Sequence, residues 1–140
     1  TYENISRNAG VLFRILIKLF YVKMGAIRIQ RVYDNKKPDG SYRILVDKLW
    51  PRGIKKTDLN FDEWNKEITP STELRRWFDH KPERFDQFTE LYKEELTSKK
   101  NELDRLRKIS KTKTVSLLYG AKDTKINHAI ILKNILLKNL

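Results

Sequence analysis

Tyr42-Arg43-Ile44-Leu45-Val46-Asp47-Lys48-Leu49-Trp50-Pro51-Arg52-Gly53 is the stretch from which the fold is read. Its centre, Ile44-Leu45-Val46, is an unbroken apolar run. Strands covered on both faces read this way, whereas a half-exposed strand alternates. The spacing predicts a central strand over 42–50, stopped by Pro51-Arg52-Gly53. Asp47 and Arg52 then stand at its carboxyl end.

Upstream, 26–33 alternates apolar Ile27, Ile29 and Tyr33 with polar positions, apart from Val32, as a half-buried strand does. Asn35 to Ser41, with Pro38-Asp39-Gly40 inside it, is a turn cluster. Downstream, Asn60 with Glu63 three residues on forms a capping-box pattern, and Phe61, Trp64 and Ile68 predict a helix. Thr69-Pro70 opens a second helix that carries Leu74, Trp77 and Phe78 and ends at His80-Lys81. Pro82 opens a third, with Phe85, Phe88, Leu91, Tyr92 and Leu96 at helical spacing, and Leu103, Leu106 and Ile109 continue the pattern. Val115 to Ala121 predicts another strand. Asp123 or Thr124 is expected to cap a last helix through Ile126, Ala129, Ile130, Leu132 and Leu136. The class is α/β: a single compact domain with a small, mainly parallel or mixed sheet of about three strands packed by about five helices. The long helical connection favours parallel pairing of the second and third strands. The first connection, Asp34 to Ser41, allows either a hairpin or a parallel arrangement through an extended loop.

The chain has 140 residues, 39% of them hydrophobic and 34% charged, as a globular domain requires. It has no cysteine, which excludes a thiol nucleophile, a thiolate metal site and thiol redox chemistry. That composition fits the cytoplasm. No apolar run reaches the roughly 18 residues of a transmembrane helix. The lone methionine, Met24, precedes Gly25 and a strand-like run and reads as a natural start, with 24–140 the domain and 1–23 upstream or non-native sequence. Within 1–23, Val11 to Val22 is apolar except for Arg14 and Lys18, a basic amphipathic helix. It is expected to pack on its own domain or on another copy.

The formal net charge is +12, from 30 Lys and Arg against 18 Asp and Glu. Such a charge concentrates anions, nucleic acid included. It is equally the residue usage of an AT-rich genome, and clustering in space decides between the two.

Two polar clusters fall at strand ends. One is Asp47 to Gly53; the other runs from Tyr119-Gly120-Ala121-Lys122-Asp123 to Asn127-His128. Ligands of open α/β sheets bind outside the carboxyl ends of strands, and a helix amino end there suits an anion. Asp47, His128 and Tyr119 are the candidate catalytic residues: Asp47 or His128 as acid or base, Tyr119 as a donor. Arg52, Arg75, Asp123, Asn127, His80 and Trp50 are the candidate ligand-binding residues, with Arg52 and Arg75 supplying forks for phosphate or carboxylate. Each has a structural alternative. Asp47 can ion-pair with Arg52 or Arg75, Trp50 and Trp77 can be core, and Asp123 can be a helix cap. His128 can be a core histidine with a satisfied ring, and His80 can complement a helix end. Arg28, Arg31 and Arg43 read as solvated or phosphate-facing. The two histidines lie far apart, so no metal site is expected, and the five glycines form no phosphate or dinucleotide loop. No cofactor is implied. The function expected is binding or conversion of a small, phosphorylated anion. The alternative is a nucleic-acid module that uses Lys and Arg with Trp50, Trp64, Tyr33 and Tyr42.

Four words in order resemble one family. They are Arg31-Val32-Tyr33-Asp34; Tyr42 through Gly53; Pro70-Ser71 with Leu74-Arg75, Trp77-Phe78 and His80; and Leu117 through Asp123 with Asn127-His128-Ala129. The order and spacing are similar to the YeaO-like family of small bacterial and archaeal proteins, a branch of a wider domain family of unknown function. The resemblance runs from about Ile27 to Leu136. It implies an α/β domain and no particular reaction. It points to Asp47, Arg52, Arg75, His80, Tyr119, Asp123, Asn127 and His128. Gly120 departs from the alanine that members often carry, and residues 1–23 have no counterpart.

Overall fold

The apolar run at Ile44 lies inside β2 (Tyr42–Leu45) in the computed structural model, which describes residues 8–17 and 26–138. Its neighbours are β4 (Val115–Tyr119) and β3 (Glu63–Trp64), and β1 (Ile27–Arg31) lies on the far side of β4. All three pairings are parallel, in the order β1-β4-β2-β3. The sheet thus has four strands, one more than the sequence predicts. Strand period sends Ile44, Val46, Val115, Leu117 and Tyr119 to one face and Leu45 and Leu118 to the other. Both faces are covered, which is why the run at Ile44 does not alternate.

The first face carries the helices: α2 (Thr72–Phe78), α3 (Phe85–Leu96), α4 (Lys100–Ser110) and α5 (His128–Lys138). Phe78, Phe88, Tyr92, Leu106, Leu132 and Leu136 from these helices fill one core with the strands. The helix expected to open at Thr69-Pro70 starts at Thr72, and Ser71 caps it, its hydroxyl accepting from the Leu74 amide at 3.1 Å. Arg107, 7% exposed, donates to the carbonyls of Ile135 and Leu136 and so satisfies the carboxyl end of α5. The second face is covered by loop, with Val32, Ile54 and Leu59 packed beside half-buried Tyr33, Trp50, Phe61 and Trp64.

The helix expected over 60–68 does not form. The Asp62 amide donates to the Arg43 carbonyl at 2.8 Å and the Asn65 amide to the Leu45 carbonyl at 2.9 Å, making β3 an edge strand. The spacing of Phe61, Trp64 and Ile68 imitates a helical face. In fact Phe61 and Trp64 pack under the sheet, while Ile68 enters the core on the other side. The hairpin alternative for β1 and β2 also fails, because β4 lies between them.

Arg43 is not solvated. It is 1% exposed, and its Nε donates to the Asn60 carbonyl at 2.9 Å and Nη2 to the Asn35 carbonyl. Nη1 lies 3.3 Å from an Asp39 carboxylate oxygen. One guanidinium therefore ties the β1–β2 loop to the segment entering β3. Arg28 reaches Ser116 and Asp39, and Arg31 reaches the Ala121 carbonyl. Partial burial pushes the Asp39 carboxyl up, but the hydroxyl and amide of Ser41 and the guanidiniums of Arg28 and Arg43 outweigh it and hold the group at about 2. A depressed carboxyl stabilises the fold above its unfolded pKa, and that stabilisation is lost as pH falls toward 2. With solvent screening, Asp39→Asn is expected to remove about 1 kcal/mol at pH 7. It should also flatten the pH dependence of stability between about 4 and 2, read by urea denaturation.

The helix expected from Val11 to Val22, packed on its own domain or on another copy, is described as α1 over residues 8–17, and 18–22 lie outside the described residues. On the described residues of its own domain it does not pack: the large apolar side chains from Val11 to Ile17 are between 38% and 64% exposed. A helix face is buried only where another apolar face meets it, and among the described residues none does. No described helix is long and apolar enough to cross a membrane.

Candidate functional site

The carboxyl ends of β2 and β4 open into a cleft of about 470 Å³. Four segments supply most of its wall: the loop from Asp47 to Arg52, the last turn of α2 with Asp79 and His80, Gly120-Ala121 after β4, and Asn127-His128 at the start of α5; Tyr33, Pro70 and Phe88 complete it. The two polar clusters of the sequence therefore meet, because β2 and β4 are parallel neighbours that end on the same side.

The loop after β2 is braced at its main chain. Trp64 Nε1 donates to the Asp47 carbonyl and Trp50 Nε1 to the Ile54 carbonyl, each at 2.6 Å. The Tyr33 hydroxyl donates to the Arg52 carbonyl at 2.8 Å. Gly53 turns the chain with φ of 77°, a conformation glycine adopts without strain. Trp50 and Trp64 meet edge-on at 5.5 Å, and Trp50 meets Phe61 at 5.7 Å. These aromatics are packing and bracing groups. Trp50 also lines the cleft.

At the base, Asp47 Oδ2 accepts from the Gly120 amide at 2.8 Å. A Cβ on Gly120 would stand 2.8 Å from the same oxygen, so glycine lets strand and carboxylate approach this closely. His128 Nε2 lies 2.7 Å from the Val46 carbonyl and 3.3 Å from Asp47 Oδ1. A carbonyl only accepts, so Nε2 carries a proton directed at Val46. Asp47 Oδ1 is then buried without a hydrogen-bond partner, held only by the nearby imidazole. The alternative pairings of Asp47 with Arg52 or Arg75 do not occur.

The rim is cationic. Arg52, Arg75, Arg76 and Lys48 all line the cleft, together with His80. Among the described residues, none of these four cations has an acidic side chain within salt-bridge distance or a side-chain hydrogen bond. Arg75 and Arg76 stand in the last turn of α2, whose carbonyl end favours cations. Asp79 and His80 follow at φ of 50° and 53°, two successive non-glycine residues in the left-handed region, at a cost of order 1–3 kcal/mol each.

Seven of the sequence candidates thus converge: Asp47, Trp50, Arg52, Arg75, His80, Asn127 and His128. Tyr119 and Asp123 stand outside the cleft lining. Tyr119 is 2% exposed in the core, and burial raises its pKa and keeps the hydroxyl protonated. Asp123 does not cap α5. Its carboxylate accepts from the amides of Lys125 and Ile126, which hold it below the usual carboxylate range. The cap is Asn127, whose Oδ1 accepts from the Ile130 amide at 3.0 Å. Arg76 joins the cleft without having been singled out by sequence, and Lys48 and Leu49, inside the first polar cluster, join it without having been candidate site residues. The adjacency of Arg76 to Arg75 was the available signal. Among the described residues no cluster of three metal-ligating side chains is present.

The model of one protein family, described as the inactive DUF488-N3 subclade, matches residues 26–140. The uncharacterised protein YeaO of Escherichia coli strain K12 is 53% identical over 106 residues, covering 76% of this chain and 92% of that protein. An uncharacterised protein of Mycobacterium bovis is 39% identical over 115 residues, covering 82% of this chain and 97% of its own. One of Mycobacterium tuberculosis matches to the same extent. No solved structure matches the chain significantly.

Proposed function

The chain belongs to the YeaO-like proteins of the inactive DUF488-N3 subclade, and on that footing we propose that its strand-end cleft binds a small anion without turning it over. One observation carries the reading: Arg52, Arg75 and Arg76 line a single cleft, and among the described residues none of them is in a salt bridge. A guanidinium left without a carboxylate in a concave site is free to take a ligand oxygen through two N–H donors. Lys48 adds charge, and the first turn of α5 brings a positive dipole end to the same cleft.

Binding is favoured over catalysis by what the polar groups at the base already do. His128 directs Nε2 at Val46, and Asp47 commits Oδ2 to Gly120. Both hold β2, β4 and α5 in place. Tyr119, the third group a reaction would call on, is in the core. The family's description as inactive agrees with this division of labour. The nucleic-acid alternative keeps the charge of +12, but its aromatic residues are drawn into the fold: Trp50, Trp64 and Tyr33 pack against the core and donate to backbone carbonyls, and the Tyr42 hydroxyl donates to Glu63.

The test is a thermal-shift and calorimetric titration with inorganic phosphate. A ligand at 100 times its Kd stabilises by about 2.7 kcal/mol. Arg52→Ala combined with Arg75→Ala is expected to weaken phosphate by about a hundredfold or more, at about 1.5–3 kcal/mol for each charged hydrogen bond. Arg52 is exposed, so its loss leaves stability within about 0.5 kcal/mol. Phosphate affinity unchanged in the double variant overturns the reading. Oligonucleotide binding that survives the double variant and fades steeply with salt moves the function to the basic surface.

A further inference from the structure

We infer that the ligand is amphiphilic: a phosphomonoester whose phosphoryl group meets Arg52, Arg75 and Arg76 and whose organic body is apolar. This rests on the anion-binding reading above and adds the class of molecule. Size comes first. The cleft holds about 470 Å³, within the range of roughly 300–1,000 Å³ typical of organic-ligand sites and far more than a bare phosphate fills.

The walls come second. Beside the cations the cleft's apolar lining is Leu49, which is exposed, with the buried side chains of Pro51, Pro70, Phe78 and Phe88 behind it. Phe78 and Phe88 are stacked 4.1 Å apart and 16° from parallel, which makes a firm apolar backing. Leu49 is 67% exposed, and with Leu137 it is one of two large apolar side chains so exposed within 26–138. A single exposed leucine is ordinary. This one stands on a cleft wall, on a loop whose carbonyls at Asp47, Arg52 and Ile54 are all pinned by aromatic donors, so it is held outward. A ligand body covering Leu49 removes apolar surface from water at both partners.

Charge comes third. Arg52, Arg75, Arg76 and Lys48 outnumber Asp47 and Asp79 around the cleft. That excess suits a phosphomonoester, which carries about −1.5 to −2 at pH 7, better than a monocarboxylate.

The experiment titrates the full chain with methyl phosphate, phenyl phosphate and benzoate by calorimetry. Phenyl phosphate is expected to bind about tenfold or more tighter than methyl phosphate, which has the same charge without the ring. Leu49→Ser should shrink that ratio to about threefold, since the substitution falls on an exposed side chain and removes only ring contact. Benzoate, with the ring but one charge, should bind about tenfold or more weakly than phenyl phosphate. Equal affinity for the two phosphates overturns the apolar body and leaves the anion reading standing. Benzoate binding as tightly as phenyl phosphate overturns the phosphoryl head. Failure of all three to bind overturns this inference and the anion reading together.

Discussion

Arg43→Met is expected to lower the stability of the domain by about 3–5 kcal/mol, because it removes two hydrogen bonds from a buried charged donor, each worth about 1.5–3 kcal/mol. The carbonyls of Asn35 and Asn60 lose their donor, and Asp39 keeps only Arg28 and Ser41. Urea denaturation measures the change directly. In a thermal scan it corresponds to a fall in Tm of roughly 10–20 °C for a domain of this size. Arg43→Lys is expected to recover little, since one ammonium on a flexible stem cannot serve three acceptors fixed in a fork. Methionine tolerated within about 1 kcal/mol would mean that the long apolar stem, and not the guanidinium, holds the loop.

Arg43 also marks where sequence reading reaches its limit. Its place in an otherwise apolar strand was visible, but its partners are main-chain carbonyls 8 and 17 residues away, and carbonyls leave no trace in residue type. The same holds for β3, which is defined by amides reaching across to β2 and not by its own pattern. Ile44-Leu45-Val46, by contrast, was legible because burial on two faces acts on side chains, and side chains are what a sequence records. The cleft was legible for a related reason. Parallel strands end on the same side, so the word after β2 and the word after β4 had to meet. Asn127 and Asp123 show the opposite case. Both side chains can satisfy amides at a chain turn, and only the observed start of α5 at His128 separates the cap from the turn before it. Trp50 and Trp64 were visible as aromatics, but their service to the Asp47 and Ile54 carbonyls depends on a loop path that residue spacing leaves open.

His128→Ala carries the second large effect, about 2–4 kcal/mol, and it separates a brace from a working group. Without the imidazole, the Val46 carbonyl loses its donor just where β2 ends. Asp47 Oδ1, already without a hydrogen bond, loses the one polar group near it, at 3.3 Å. The two losses share one ring, so Asp47→Asn and His128→Ala should couple by about 1 kcal/mol or more in a double-mutant cycle. A brace and a ligand contact leave different signatures. As a brace, His128 leaves phosphate affinity in the folded variant closer to wild type than Arg52→Ala does, and the loss appears in the denaturation midpoint. A variant with unchanged stability and no phosphate binding would make the imidazole the group that touches the anion. The proton on Nε2 argues for the brace, because it is directed at a carbonyl 2.7 Å away and is not presented to the cleft.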